Sequence, residues 1–381
     1  MKMGFRWYGR DNDTVSLDDI RQIPGVETIV WALHHKQAGE VWEQQEIDKA
    51  VTEITGLSTS DKRKGVTKTF NAEVVESVNI HESIKLGKAI LGLDPDMAIA
   101  NYKLCIKRLG KAGVKVITYN FMPVFDWLRT DFFHPLPDGS TALYYNHAEV
   151  LEMSPDKLIS DMENNSQGMT LPGWEPARLA SFREINQAYQ GVSHDDMYKN
   201  YKYFLDEVIP TCEKYDVKLA VHPDDPAFDL FGWPRVVSQS ADLAKVLSLN
   251  NSYYNGLCLC LGSFSSDPKH DAVAAVKTFM ERIHFSHVRN IKFDAPFDEN
   301  NPNSRSFSEV GHRASEGNVD TVGIMKAYAQ ANYEGYIRPD HGRHLWDENT
   351  DPAKKPRPGY GLYDRALGIQ YLLGIWDACQ K

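Results

Sequence analysis

Nothing in the 381 residues supplies an unbroken apolar run of the ~20 residues that a membrane-spanning helix needs, so a membrane partner is not expected. The start, Met1-Lys-Met-Gly-Phe-Arg-Trp, lacks the apolar core of a secretion signal, and the expected location is the cytoplasm. Cysteine is scarce: Cys105, Cys212, Cys258, Cys260 and Cys379 are odd in number and irregularly spaced, which excludes a disulfide scaffold. Basic charge is in deficit. The net charge of -10 disfavours nucleic acid, whose phosphates call for a basic face, yet a local cluster of Arg and Lys can still make one pocket positive for a small acidic ligand. No glycine-rich phosphate turn follows an early β-rich run, which disfavours a doubly wound nucleotide-binding sheet. Internal repeats and linker-like segments are missing too.

What is present is an ordinary globular composition, 42% hydrophobic and 25% charged, long enough to bury a core without covalent staples. Eight short β-rich runs end in polar residues: 5–9, 27–33, 74–78, 114–121, 218–222, 256–261, 283–288 and 335–339. Most gaps between them hold a helical pattern. Before the fourth run Met97, Ala100, Leu104, Cys105 and Leu109 recur at helical spacing until Gly113 stops them; before the fifth, Tyr203, Phe204, Val208 and Cys212 do the same. Strands that are nearly all apolar and alternate with helices predict an α/β fold, a parallel (β/α)8 TIM barrel forming one elaborated domain over 1–381. The extra length falls in three places. A long, partly helical insertion, 124–195, follows strand four, with a turn at Leu136-Pro-Asp-Gly and an acidic, amide-rich stretch at 163–166; polar rim loops, 294–316 and 348–358, follow strands seven and eight.

Metal-capable side chains fall at the ends of four successive strands. His222 ends strand five, Cys260 lies in strand six, His287 in strand seven, and strand eight runs into Asp340. A barrel delivers these ends to one rim, where two imidazoles, a thiolate and a carboxylate make a divalent-metal shell with positions left for substrate. Cys258 and Cys260 share a face of their strand; Cys260 is nearer the carboxyl end and is taken as the ligand, Cys258 as packing deeper in the barrel. His341 follows Asp340 but faces the other way, which suits proton transfer or, alternatively, orientation of Asp340. Tyr360 sits on a loop framed by Gly359 and Gly361 that can bring a phenol over the site. Arg289, Lys292, Arg338 and Arg343 cluster near the same rim, and guanidiniums clamp carboxylates through paired hydrogen bonds. With polar and aromatic groups of the early strands, they suggest an anionic, polyhydroxylated ligand; Arg289, Arg343, Trp7, His81 and Asn120 are the candidate substrate contacts.

Together these motifs resemble the mannonate dehydratase family. The resemblance runs through Arg6-Trp-Tyr-Gly, Ala32-Leu-His-His, Val75-Glu-Ser, Tyr119-Asn-Phe-Met-Pro-Val, Asp126-Trp-Leu-Arg-Thr-Asp, His222-Pro-Asp-Asp-Pro, His287-Val-Arg and Arg338-Pro-Asp-His-Gly, and it departs from the family in an expanded 348–358 run. It implies a barrel related to xylose isomerase, Mn2+ or Fe2+ on His222, Cys260, His287 and Asp340, and acid/base roles for His341 and Tyr360. The implied reaction is loss of water from D-mannonate to give 2-keto-3-deoxy-D-gluconate. The implied partner is thus a small sugar acid, and the sequence is compatible with a homo-oligomer. A metal-dependent isomerase on the same barrel is the nearest alternative, followed by a non-catalytic sugar-acid binding protein. A repair nuclease, which would want a basic groove, stands further off.

Overall fold

The computed structural model describes residues 1–154, 157, 158, 160, 180–350 and 355–380. Its strands are β1 (Lys2–Arg6), β2 (Val26–Trp31), β3 (Asn71–Glu76), β4 (Val116–Tyr119), β5 (Asp131–Pro135), β6 (Thr141–Tyr145), β7 (Lys218–Val221), β8 (Asn255–Cys260), β9 (Ile283–Val288), β10 (Asn290–Phe293), β11 (Phe307–Val310) and β12 (Tyr336–Pro339). Parallel pairing in the order β1-β12-β9-β8-β7-β4-β3-β2 closes a barrel, and each β-rich run of the sequence falls on one of its strands. Every residue of β4, β8, β9 and β12 is buried, which explains runs without polar alternation: one face meets the helices and the other fills the barrel. Val30, Val74, Val116, Ala220, Cys258, Phe285 and Tyr336 pack together as the inner cluster. At the amino-terminal end of the strands, Glu73 accepts from Lys2 Nζ at 2.6 Å and from the Tyr336 hydroxyl at 2.7 Å.

The helices obey local signals, with a shift of face. Helix Pro95–Lys111 begins where Asp94 accepts from the Met97 amide and Pro95 occupies the first turn, and it gives way at Gly113, whose φ of 92° suits glycine. Its buried stripe is Ala98, Ile99, Tyr102, Cys105, Ile106 and Leu109. Met97, expected to face inward, is 54% exposed. In helix His194–Tyr215 Tyr203 likewise points outward while Phe204, Val208 and Cys212 are buried. A stripe read from apolar residues alone drifts when long side chains lie at its edge.

The insertion is partly helical, with short helices His147–Glu152 and Phe182–Ala188, but it opens on an element not expected, the hairpin of β5 and β6. β10, β11, β6 and β5 assemble a four-stranded antiparallel sheet in that order, so the loops after the fourth and seventh barrel strands are one structure, not two decorations. The acidic stretch 163–166 and residues 351–354 of the last rim loop lie outside the described residues. Among the described residues no helix is long and apolar enough to cross a membrane.

The observed helix face makes a measurable distinction. Ile106→Ala should cost about 2–5 kcal/mol in denaturant unfolding, whereas Met97→Ala should stay within about 0.5 kcal/mol. Equal losses would place the stripe elsewhere.

Candidate active site

Register builds the site before any side chain is considered. Cys260 of β8 pairs with His287 of β9, which pairs with Arg338 of β12, so the three sit at one level of the barrel wall. The backbone ladder then extends past the strand ends, His222 N–H bonding to Tyr119 at 2.9 Å and Asp340 N–H to Val288 at 3.0 Å. The result is convergence: ligand atoms of His222, Cys260 and His287 lie within 4.8 Å of one another. Asp340 adjoins this trio, Oδ2 at 3.2 Å from Cys260 Sγ and Oδ1 at 3.8 Å from His287 Nδ1.

The donor set fits a divalent ion. His222 Nδ1 donates to the Pro223 carbonyl at 2.7 Å, which leaves the Nε2 lone pair for a metal in the neutral ring. Cys258 lies in the inner cluster, as its deeper position on the strand requires, with Sγ 3.3 Å from His287 Nε2. The carboxylates of the site are strongly acidic. Burial would raise Asp340, but His341, Arg338 and other cations nearby hold it well below its ordinary value; Glu76, 2.7 Å from Arg338, is depressed likewise against burial.

His341 and Tyr360 meet over this cluster. His341 Nε2 lies 3.1 Å from the Tyr360 hydroxyl, and Nδ1 lies 2.9 Å from Glu309 Oε2. A carboxylate only accepts, so Nδ1 carries the proton and Nε2 is the acceptor for the phenol. Arg289 Nη1, 3.3 Å from the same Nδ1, is served by carboxylates at Asp340 and Glu309. Burial, reinforced by Tyr8 and Asp340, pushes the Tyr360 phenol well above its ordinary value, so it keeps its proton. Trp127 meets the His341 ring edge-on at 6.0 Å.

Glu309 escaped the sequence reading because it lies in a polar rim stretch, on the four-residue strand β11. Its setting is a buried ion cluster: Arg129 bonds Asp225 at 2.8 Å and Glu309 at 2.7 Å, and Arg289 bonds Asp225 at 2.9 Å. The Asp-Asp pair after His222 was the available signal for Asp225. Of the candidate substrate contacts, Asn120 and Arg289 line the cavity beside the ligand cluster. Trp7, His81 and Arg343 do not line it. Trp7 donates to the Val15 carbonyl at 3.0 Å, His81 Nδ1 accepts from the Ser83 amide at 3.2 Å to cap a helix, and Arg343 is held by Asp364 at 2.9 Å and Asp138 at 3.0 Å. Lys292 is exposed on β10, and Arg338 is bonded to Glu76 and Asp340.

Removing one member of the ion cluster leaves the others buried and unbalanced. Arg129→Met should therefore destabilise by about 3–5 kcal/mol, read as a lowered unfolding midpoint. A midpoint unchanged from the parent would contradict the cluster.

Comparison with known proteins identifies the family. The family model described as D-mannonate dehydratase (UxuA) matches residues 1–381. Mannonate dehydratase 1 of Bacillus licheniformis is 48% identical over 381 residues, covering 100% of this chain and 96% of the relative. The crystal structure of mannonate dehydratase from Streptococcus suis serotype 2 superposes with a TM-score of 0.82 at 35% identity, covering 100% and 95% of the two chains. A xylose isomerase domain protein from Planctomyces limnophilus, 10% identical with a TM-score of 0.52 over 99% of this chain and 98% of its own, shares the fold. Similar along its whole length to dehydratases of one kind, the chain belongs to the D-mannonate dehydratase (UxuA) family of hydro-lyases.

Proposed function

We propose that the chain removes water from D-mannonate to give 2-keto-3-deoxy-D-gluconate, working on this small sugar acid in the cytoplasm. The observation that carries the reading is the buried acid/base pair, His341 Nε2 at 3.1 Å from the Tyr360 hydroxyl, beside a cluster of metal ligands. His222, Cys260, His287 and Asp340 would hold Mn2+ or Fe2+, and a divalent ion there supplies Lewis acidity that eases loss of the proton beside the substrate carboxylate.

The chain's own groups account for the proton transfers. With Nδ1 fixed by Glu309, His341 Nε2 takes the proton from C2. The Tyr360 hydroxyl gives its proton to the departing 3-hydroxyl, which leaves as water. The electron pair of the broken C2–H bond forms the C2–C3 double bond, and the enol tautomerises to the 2-keto acid. Proton return from His341 to the Tyr360 oxygen across 3.1 Å resets the pair. Arg289, which lines the cavity, holds Asp340 at 3.2 Å and keeps this carboxylate ionised. Asn120, also on the lining, faces the substrate hydroxyls.

Incubation with D-mannonate and Mn2+ or Fe2+ under anaerobic conditions should yield a 2-keto-3-deoxy acid. His341→Asn and Tyr360→Phe should each lower kcat roughly 100- to 10,000-fold while the metal stays bound. A folded, metal-loaded variant with near-normal turnover would remove that residue from the chemistry. Chelation should abolish activity and added Mn2+ or Fe2+ should restore it. Elemental analysis should find the ion lost from Cys260→Ala and retained by Cys258→Ala, and the reverse result would exchange the two cysteines' roles.

A further inference from the structure

Buried guanidiniums near the site come in two kinds. Arg129 bonds Asp225 and Glu309, Arg289 bonds Asp225 and Asp340, and Arg338 bonds Glu76 and Asp340. Each of these guanidiniums is ion-paired to carboxylates within the protein, although Arg289 Nε has no hydrogen-bond partner among the described residues. Arg6, the last residue of β1, is different: it is 3% exposed, lines the cavity with Asn120 and Tyr360, and among the described residues its Nε and Nη1 have no hydrogen-bond partner. Its remaining nitrogen, Nη2, approaches His34 Nε2 at 3.4 Å, a long bond to a ring that burial and Arg6 itself keep neutral. The guanidinium lies 4.7 Å from the Tyr8 ring centroid, and Tyr8 in turn packs against Tyr360 at 4.9 Å.

A buried cation with two unanswered donors is costly unless something supplies the missing acceptors. Water can do so partly; an anion does it better, because paired N–H groups match a carboxylate. The acceptor side of the same cavity carries a matching vacancy. Asn120 Oδ1 is buried without a donor among the described residues and is suited to a hydroxyl proton.

We infer that Arg6 is the substrate-binding residue that receives the carboxylate of the sugar acid, with Asn120 Oδ1 accepting from a neighbouring hydroxyl. This rests on the reading of the cavity as the dehydratase site. It assigns recognition of the charge to the first strand of the barrel, which pairs with the strand of Arg338 but carries an arginine with no carboxylate among the described residues bonded to it. It also separates binding from chemistry, since Arg6 bonds neither His341 nor Tyr360.

Calorimetric titration of D-mannonate into metal-loaded protein tests this, with Arg6→Gln and Arg6→Lys placed in the non-turning His341→Asn background. Arg6→Gln should weaken binding about 10- to 100-fold, and Arg6→Lys, which keeps charge without the fork, should fall between. In the otherwise native enzyme the loss should appear mainly in KM. Metal content should not change. The unfolding midpoint should hold or rise, because the variant removes a buried guanidinium with two donors that no described residue answers. Unchanged affinity, or a lowered midpoint with unchanged affinity, would overturn the assignment. If D-mannonate is bound but never turned over by the parent enzyme, the dehydratase reading falls while Arg6 is still tested. If the parent does not bind it, both fall.

Discussion

Arg129, Asp225, Arg289 and Glu309 are each almost fully buried, and none can remain charged there without the others. They come from the insertion, the loop after β7, the end of β9 and strand β11. Such a cluster contributes little net stability compared with apolar packing, because four desolvated charges offset their own attraction. What it imposes is position. Arg129 can satisfy Asp225 and Glu309 only if the insertion folds back over the barrel mouth and the antiparallel sheet forms. Ser263 extends the constraint by donating to Asp225 at 3.0 Å and approaching Cys260 Sγ at 3.1 Å. Gly262 beside it has room for no side chain: a Cβ would come within 2.3 Å of Arg289 Nε.

From that constraint the two ends of the barrel acquire different work. At the amino-terminal end, Lys2, Glu73 and Tyr336 close the interior with short bonds and leave nothing unanswered among themselves. At the carboxyl-terminal end, Cys260 and His287 lie within their strands, while His222 and Asp340 stand on the first residues beyond β7 and β12. Glu309 reaches the mouth from a different sheet altogether, and only because β11 pairs with both β10 and β6. The imidazole of His341 is thus held between a group of the antiparallel sheet, Glu309, and a group of the last loop, Tyr360. Neither contact is local in sequence, and the one to Glu309 depends on a sheet to which the insertion contributes β5 and β6.

The legibility of each feature follows from its physics. Barrel strands are buried on both faces, so their composition alone marks them, and ligands at their ends inherit a predictable direction. His222, Cys260 and His287 were readable for that reason. β5, β6, β10 and β11 have four or five residues each and carry polar side chains at the rim, so composition barely separates them from loop; the Pro-Asp-Gly turn marked the hairpin's tip but not its strands. Glu309 was invisible because its importance is a tertiary pairing. Arg343 lies outside the cavity for a related reason, since Asp364, on the last helix, engages it from a part of the sequence that carried no signal. Trp7 and His81 also have local partners, Val15 and Ser83, that sequence spacing alone does not reveal.

The arginines carry the argument one step further. A count of cations near a pocket measures the field only if their charges are unanswered, and here the ion-paired guanidiniums mainly fix carboxylates in place. Selectivity for an acid over a neutral sugar then depends on the donor that the protein leaves unpaired, because a ligand without a carboxylate would bury Arg6 Nε and Nη1 against nothing that accepts their protons. The acidic surface, net charge -10, need not oppose entry of an anion. Screening weakens exposed charges beyond about 10 Å in ordinary salt, whereas a desolvated guanidinium at the end of the pocket acts at full strength over the last few ångströms. The balance between a repelling exterior and the unpaired donors of Arg6 therefore favours binding once the ligand has entered, and discriminates against any polyol that lacks the charge.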